Sequence, residues 1–349
     1  VSRRYVAFAP GLFATRSAKT AHGAIAYGRD PVVAVVDPTL GGRRVRDALP
    51  YLDSDVPIVA DLAAARRFEP TALLLGTAPP GGVLPDGWRA TILEALAAGL
   101  DVVSGLHDML GDDPEFANAA RRSAATISDV RAPPPPRLFT GAAFGVRAVV
   151  LLTVGSDAAV GKMTAALELT AAARAAGTDA HFVATGQTGI VIAGRGTAID
   201  RTIADFATGA VEELVVADGD AELLVVEGQG GIAHPAFAPV TLALLYGSAP
   251  DALLLVHRPT RERAEGFATP IPSLPDLVAL YEALCATVKP ARVIGVALNT
   301  GDLDAAGAER ALEAAREATG LPCADLVRGD AAAFYAALRP MLAGKGSPR

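Results

Sequence analysis

The chain of 349 residues is 51% apolar and 20% charged, ordinary globular usage that argues against disorder, and its length suggests about two domains. Its 31 Lys+Arg against 38 Asp+Glu give a formal charge of −7, so no basic excess is available to neutralise phosphodiesters, and nucleic acid is excluded as the expected partner. Mean hydropathy is +0.34, but every long apolar stretch is cut by a charge or a Gly/Pro turn before the ~18 residues of a membrane span. No membrane partner is expected. The opening VSRRYVAFAPG carries too short an apolar run for a secretory signal. Two cysteines, Cys285 and Cys323, are expected to be reduced core thiols in a cytoplasmic protein.

Along the chain, short apolar runs alternate with helical segments. Strands are expected at 32–37, ending in Asp37, at 56–60, at 72–77 and at 100–106, ending before His107, with a helix from Trp88 to Ala98 between the last two. Ala132-Pro133-Pro134-Pro135-Pro136 can continue neither a helix nor a central strand and reads as a stiff connector. The alternation then resumes, with strands at 148–154, 181–186, 222–227, 251–257 and 292–299. Helices follow at 162–176 and at 305–319, the latter closed by Gly320. Strands alternating with helices imply parallel crossovers and open α/β sheets. The expected organisation is a Rossmann-like N-terminal domain (1–131), a Pro-rich linker (132–140) and a P-loop NTPase-like domain (141–349) with helices on both faces of a parallel sheet. A homo-oligomer is expected.

The most informative segment is Gly155-Ser156-Asp157-Ala158-Ala159-Val160-Gly161-Lys162-Met163-Thr164. It follows an apolar run and opens a helix, the context of a phosphate loop: backbone N–H groups turn inward, and the helix N-terminus favours an anion. Five residues, rather than the usual four, separate Gly155 from Gly161-Lys162. Met163 takes the place of the hydroxyl that normally ligates Mg²⁺, and a thioether is a soft ligand for a metal that wants oxygen. Thr164 points about 100° further round the helix. The loop therefore reads as able to hold a diphosphate and poorly equipped to hydrolyse one, although Thr164, Asp157 and Glu227 remain candidate metal ligands.

This loop resembles that of the dethiobiotin-synthetase group, which reads Gly-Thr-Asp-Thr-x-Val-Gly-Lys-Thr. Val226-Glu227-Gly228-Gln229-Gly230-Gly231 is close to that group's Val-Glu-Gly-Ala-Gly-Gly, and Thr185-Gly186-Gln187-Thr188-Gly189 is a third match. In such folds an Asn at the place of Asn299 often reads an adenine. The whole chain resembles the DUF1611 family, described as D-glutamate N-acetyltransferase-like. The resemblance rests on Lys19-Thr20-Ala21, Asp37, Gly76 with Pro79 and Gly81-Gly82, Trp88-Arg89, Gly105-Leu106-His107, Asp112-Asp113-Pro114 and Asp129-Val130-Arg131 in the first half. In the second half it rests on the loop with Met after Lys, Glu227 to Gly230, His234-Pro235 and Leu245 to Asp251. It implies transfer of an acetyl group from acetyl-CoA to the amine of an acidic D-amino acid, with the phosphate loop and Asn299 holding the coenzyme.

Such a reaction needs a base for the ammonium proton, donors for the oxyanion and cations for substrate carboxylates. The candidate catalytic residues are His107 and His234, each near a strand end, and Glu227. His257 and His22 are weaker candidates, and His181, which begins a strand, is expected to be structural. Lys19, Arg89, Arg131 and Arg258 are candidate carboxylate binders. Thr77, Pro79, Gly81 and Gly82 expose backbone at a strand end, and Gln187, Gln229 and Gly230 complete the expected substrate contacts. Asp37 at a strand end suggests ribose recognition, but no G-x-G-x-x-G precedes it, which argues against a dehydrogenase. The alternatives are an ATP- and Mg²⁺-dependent ligase or kinase of the dethiobiotin-synthetase type, and a non-catalytic nucleotide- or CoA-binding protein.

Overall fold

A computed structural model describes residues 2–77 and 82–342; the expected substrate contacts Pro79 and Gly81 lie outside the described residues. The chain divides into two compact units, Val1–Pro133 with Gln187–Arg201, and Pro134–Gly186 with Thr202–Arg349.

In the first unit, β1 (Tyr5–Phe8), β2 (Val32–Val36), β3 (Ile58–Val59), β4 (Ala72–Leu75), β5 (Asp101–Ser104) and β6 (Ile127–Asp129) form one sheet in the order β3-β2-β1-β4-β5-β6. All pairs are parallel. This is a doubly wound order whose switch point falls between β1 and β4. Both central strands are buried throughout, which is why they read as continuous apolar runs rather than alternating ones. Val6, Phe8, Leu73 and Leu75 pack into one core layer with Ile92, Leu96 and Phe116. Tyr5, Ala7, Ala72 and Leu74 pack into the other with Phe13 and Ala21. The sequence reading assigns no strand before residue 32, yet Tyr5–Phe8 is central to the sheet. Flanked by Arg3, Arg4 and Pro10, four apolar residues carry too little pattern to stand out alone.

A second difference concerns Gln187–Arg201, which falls inside the expected C-terminal domain but packs with the first unit. Its helix, Gln187–Ala193, places Val191 in the layer around Ala21. Arg29 N donates to Ile192 O at 3.1 Å, and Thr20 and Thr188 share a hydroxyl hydrogen bond of 2.9 Å. Asp37 is fully buried. Its carboxylate accepts from Gly11 N, Phe13 N, Thr39 N and Thr39 Oγ1 at 2.7–3.1 Å. It thus organises the turn after β1, in keeping with the missing dinucleotide fingerprint.

In the second unit, β7 (Val149–Gly155), β8 (Ala180–Val183), β9 (Leu223–Val226), β10 (Ala252–His257), β11 (Arg292–Leu298) and β12 (Cys323–Ala324) lie parallel in the order β12-β11-β10-β7-β9-β8. All their C-terminal ends therefore share one edge, where open sheets bind ligands. The helix Ala305–Thr319 ends at Gly320 in the left-handed conformation, φ 67°, as its position after the periodic run predicts. Cys285 and Cys323 are free and buried, and burial pushes the Cys285 thiol up to about 11. Among the described residues, no helix is long and apolar enough to cross a membrane.

The proline segment has no regular structure and leads to a carboxylate anchor. Glu212, buried on the helix Ala204–Ala217, accepts from Thr140 N (2.7 Å), Thr140 Oγ1 (2.9 Å) and Ala143 N (3.2 Å). Burial alone would push its carboxyl up, but these hydrogen bonds hold it below its ordinary value. Glu212→Gln should lower unfolding stability by about 1–3 kcal/mol at neutral pH. A depressed folded-state value means the contribution is complete above the unfolded value of about 4.3. It is lost as pH falls through the folded value. Urea denaturation of both proteins should show the gap closing below about pH 4; a gap that persists unchanged in acid would contradict the carboxylate's role.

Candidate functional site

Strand β7 delivers the chain to the loop Ser156–Gly161 from inside the sheet, and the helix Lys162–Ala175 leaves it. Gly161 adopts φ 111°, and Ala159 adopts φ 53°, a left-handed conformation that costs a non-glycine residue about 1–2 kcal/mol. The Lys162 side chain folds back beneath the loop and is buried. Its Nζ donates to Asp157 O (2.8 Å) and Gly230 O (2.5 Å). Gly155 leaves room for that ammonium: a Cβ there would sit 2.7 Å from Nζ. Gly228 lies so close to β7 that a Cβ would overlap the Thr153 carbonyl; its N–H donates to Thr153 Oγ1 at 2.8 Å. Tyr281, fully buried, donates to Gly155 O at 2.6 Å and accepts from Ile232 N at 3.1 Å. It thereby ties Gly155, before the loop, to Ile232, just after the Glu227–Gly231 segment. The sequence reading passed over Tyr281, although it shares the buried face of the helix Leu274–Ala286 with Leu277 and Cys285, and a polar-tipped aromatic on such a face is a signal.

Several side chains of the loop and of the segments beside it are already engaged within the protein. Asp157 Oδ2 accepts from Arg261 (2.9 Å) and Glu265 N (2.9 Å). Asp157 Oδ1 is buried without a hydrogen-bond partner among the described residues and lies 3.8 Å from His234 Nε2. His234 Nδ1 accepts from Ala236 N (3.1 Å) and Phe237 N (3.2 Å). Its Nε2 therefore carries the proton and donates to Glu265 O (3.1 Å). Both ring nitrogens of His234 are thus engaged, and the ring is buried. Glu227 Oε2 accepts from Thr185 N (3.0 Å) and Gly186 N (3.1 Å). Gln229 Nε2 donates to Thr185 Oγ1 at 3.2 Å. Asn299 Nδ2 donates to Val160 O at 3.2 Å, and so supports the loop from the side. His257 Nδ1 is 2.9 Å from Ser156 Oγ, and burial pushes its imidazole down to about 4.

As a metal cage this donor set is weak. Met163 and Thr164 occupy the first turn of the loop helix, both half-buried. Asp157 has an arginine partner and Glu227 binds two amides. Among the described residues, no group of three or more His, Cys, Asp or Glu is arranged to hold a metal. The residues present do not make a ready Mg²⁺ site.

In the first unit, the ends of β4 and β5 gather a second set. His107 N donates to Gly82 O (2.8 Å), and Arg201 donates to His107 O (2.6 Å). Arg131 Nε donates to Gly105 O (2.8 Å), and its guanidinium pairs with Asp200. Gln187 packs against Gly105, where a Cβ would come within 3.3 Å of it. Gln187 Oε1 and Thr77 Oγ1 are both buried without hydrogen-bond partners among the described residues. Burial, then the Arg131 charge, holds the His107 imidazole below its ordinary value. Neither ring nitrogen of His107 has a hydrogen-bond partner among the described residues. By contrast, His22 donates to Phe13 O (2.7 Å) and accepts from Tyr51 (3.0 Å). His181 lies 3.2 Å from both Asp179 and Asp218. The arginines expected to clasp substrate carboxylates have internal ones: Arg89 pairs with Asp113 and Glu115, Arg131 with Asp200, and Arg258 with Asp302. Lys19 is exposed at the start of the helix Lys19–Tyr27.

A Rossmann-like unit and a phosphate-loop unit on parallel six-stranded sheets define this as a two-unit α/β protein of the P-loop class. Two family models match it: the DUF1611 N-terminal Rossmann-like domain of unknown function over residues 38–133, and the DUF1611 C-terminal P-loop domain of unknown function over 137–335. The chain belongs to the DUF1611 family. A D-glutamate N-acetyltransferase from Pseudoalteromonas sp is 37% identical over 269 residues, 76% of this chain and 81% of that protein. A D-glutamate N-acetyltransferase from Tritonibacter scottomollicae is 38% identical over 282 residues, 79% of this chain and 84% of that protein. The crystal structure of a DUF1611 family protein from Anabaena variabilis superposes with a TM-score of 0.93 at 36% identity, covering 97% of this chain and all of that one.

Proposed function

We propose that this chain is an N-acetyltransferase that moves an acetyl group from acetyl-CoA to the amine of a small acidic D-amino acid. The observation that carries the reading is the name D-glutamate N-acetyltransferase borne by two relatives at 37% and 38% identity. The loop chemistry supports it. A buried Lys162 and a helix N-terminus suit the coenzyme diphosphate, while Met163 withholds the hydroxyl that phosphoryl transfer recruits for Mg²⁺.

In the reaction the ammonium first loses its proton to a base, and the free amine attacks the thioester carbonyl. The C–N bond forms, the C–S bond breaks, and the departing thiolate takes a proton. His107 is the proposed base, because its imidazole is held neutral and its ring nitrogens have no partner among the described residues. Thr77 and Gln187 are proposed acceptor contacts on the strength of their buried oxygens, which have no hydrogen-bond partner among the described residues. The test incubates purified protein with acetyl-CoA or MgATP, each against D- and L-glutamate and D- and L-aspartate, reading free thiol and ADP together. Thiol release that depends on a D-amino acid is expected. Acceptor-dependent ADP release without thiol would replace this reading with a ligase or kinase, and silence in both channels would reduce the protein to a binder.

A further inference from the structure

In the first unit, Arg201 meets His107 just beyond the C-terminal end of β5. It ends the short 3-10 helix Ile199–Arg201 and is half-buried. Its Nη1 donates to His107 O at 2.6 Å. The ring of the same histidine rests on Gly82, where a Cβ would overlap it. Guanidinium and imidazole are therefore both held at fixed places on one residue. Gln187, packed against Gly105, and Thr77, just beyond β4, add two buried oxygens with no hydrogen-bond partner among the described residues.

The acids around Arg201 leave it unclaimed. Asp200, its neighbour in sequence, pairs with Arg131, whose Nε is anchored on Gly105 O (2.8 Å). Asp108 is exposed and accepts from Leu84 N (2.7 Å). Arg89, Arg131 and Arg258 each have a carboxylate partner; Arg201 has none among the described residues. Its bond to a carbonyl uses one of the five donors of a guanidinium, so a planar fork remains for a carboxylate. The His107 imidazole feels this charge: burial, then Arg131, then Arg201 lower it, while Asp200 and Asp108 act the other way. Within one histidine, the carbonyl and the ring nitrogens stand apart by the length of the side chain. The α-carboxylate of an amino acid whose amine faces the ring is too near that amine to span the interval. The side-chain carboxylate of glutamate lies two methylenes further out.

We infer that Arg201 binds the side-chain carboxylate of the amino-acid acceptor and so selects an acidic one. The inference rests on the acetyl-transfer reading above, with His107 at the amine. Calorimetry with D-glutamate and its neutral isostere D-glutamine, each in the presence of coenzyme A, tests it without turnover. The wild-type protein should bind D-glutamate at least tenfold tighter, and Arg201→Gln should abolish that preference. Arg201→Lys, which keeps a charge but not the fork, should restore part of it. In acetyl transfer, the ratio of the KM for D-glutamine to that for D-glutamate should collapse toward one in Arg201→Gln. An unaltered preference in that variant overturns the assignment even where acetyl transfer is robust. So does an equal loss of both amino acids, which would put the α-carboxylate on Arg201 instead. Should neither variant fold, the unaltered protein decides: equal affinity for the two amino acids, or none for either, overturns the assignment. A preference for D-glutamate that disappears with Arg201, in a protein that transfers no acetyl group, would strike the functional reading and leave the carboxylate site standing.

Discussion

Lys162→Ala should raise the KM for acetyl-CoA by about two orders of magnitude while leaving the fold intact. The ammonium is buried and held between Asp157 O and Gly230 O, at the point where the loop's amides and the following helix converge. A charge-assisted hydrogen bond contributes about 1.5–3 kcal/mol, and the upper figure corresponds to a factor of roughly 150 in affinity. Removing the side chain leaves two carbonyls short of a donor, a modest loss because carbonyls tolerate under-satisfaction better than N–H groups do. The thermal midpoint should therefore move little. Lys162→Arg should not restore binding, because Gly155 and Gly228 crowd the channel that the lysine stem follows: a Cβ at either would lie within 3.0 Å of the side chain. Unchanged affinity for acetyl-CoA in Lys162→Ala would remove the phosphate loop from the donor site.

His107→Gln should lower kcat by about 10²–10⁴-fold, the usual contribution of a general base, with KM for the donor nearly unchanged. The pH profile separates this from a structural effect. Burial and the Arg131 charge hold the imidazole below its ordinary value, so it is neutral and able to accept a proton at pH 7. Acceptor-saturated rates should fall only as pH drops through that lowered value, below about 6.5, and the acid limb should vanish in His107→Gln. Since His107 is tied to Gly82 and Arg201 through its backbone, glutamine preserves those contacts and the thermal midpoint. A variant that retains full kcat, or the same acid limb, would assign the proton transfer elsewhere. His234 would be a poor replacement while Nδ1 accepts two amides and Nε2 donates to Glu265 O.

What could be read from the chain alone was what depends on neighbours in sequence. The phosphate loop needs an apolar run, glycines at fixed places, a lysine and a helix start, all within residues 148–164. Likewise Gly320 ends its helix and the proline segment leads to a new unit, because backbone preferences act over a few residues. The strands at 72–77 and 251–257 announced themselves because burial on both faces demands unbroken apolar runs.

Partnership across the fold decided the rest. Tyr5–Phe8 became a central strand because β2 and β4 flank it, and four residues beside two arginines cannot state that. Gln187–Arg201 joined the first unit through Thr20, Arg29 and the layer around Val191. Asp37, Arg89, Arg131, Arg258 and His234 all belong to residue types that serve ligands, yet each already has an internal partner, supplied in most cases from tens of residues away. Residue type and spacing state which chemistry a side chain can offer; whether that chemistry is left over for a ligand depends on long-range contacts, and these exist only once the sheet order is set.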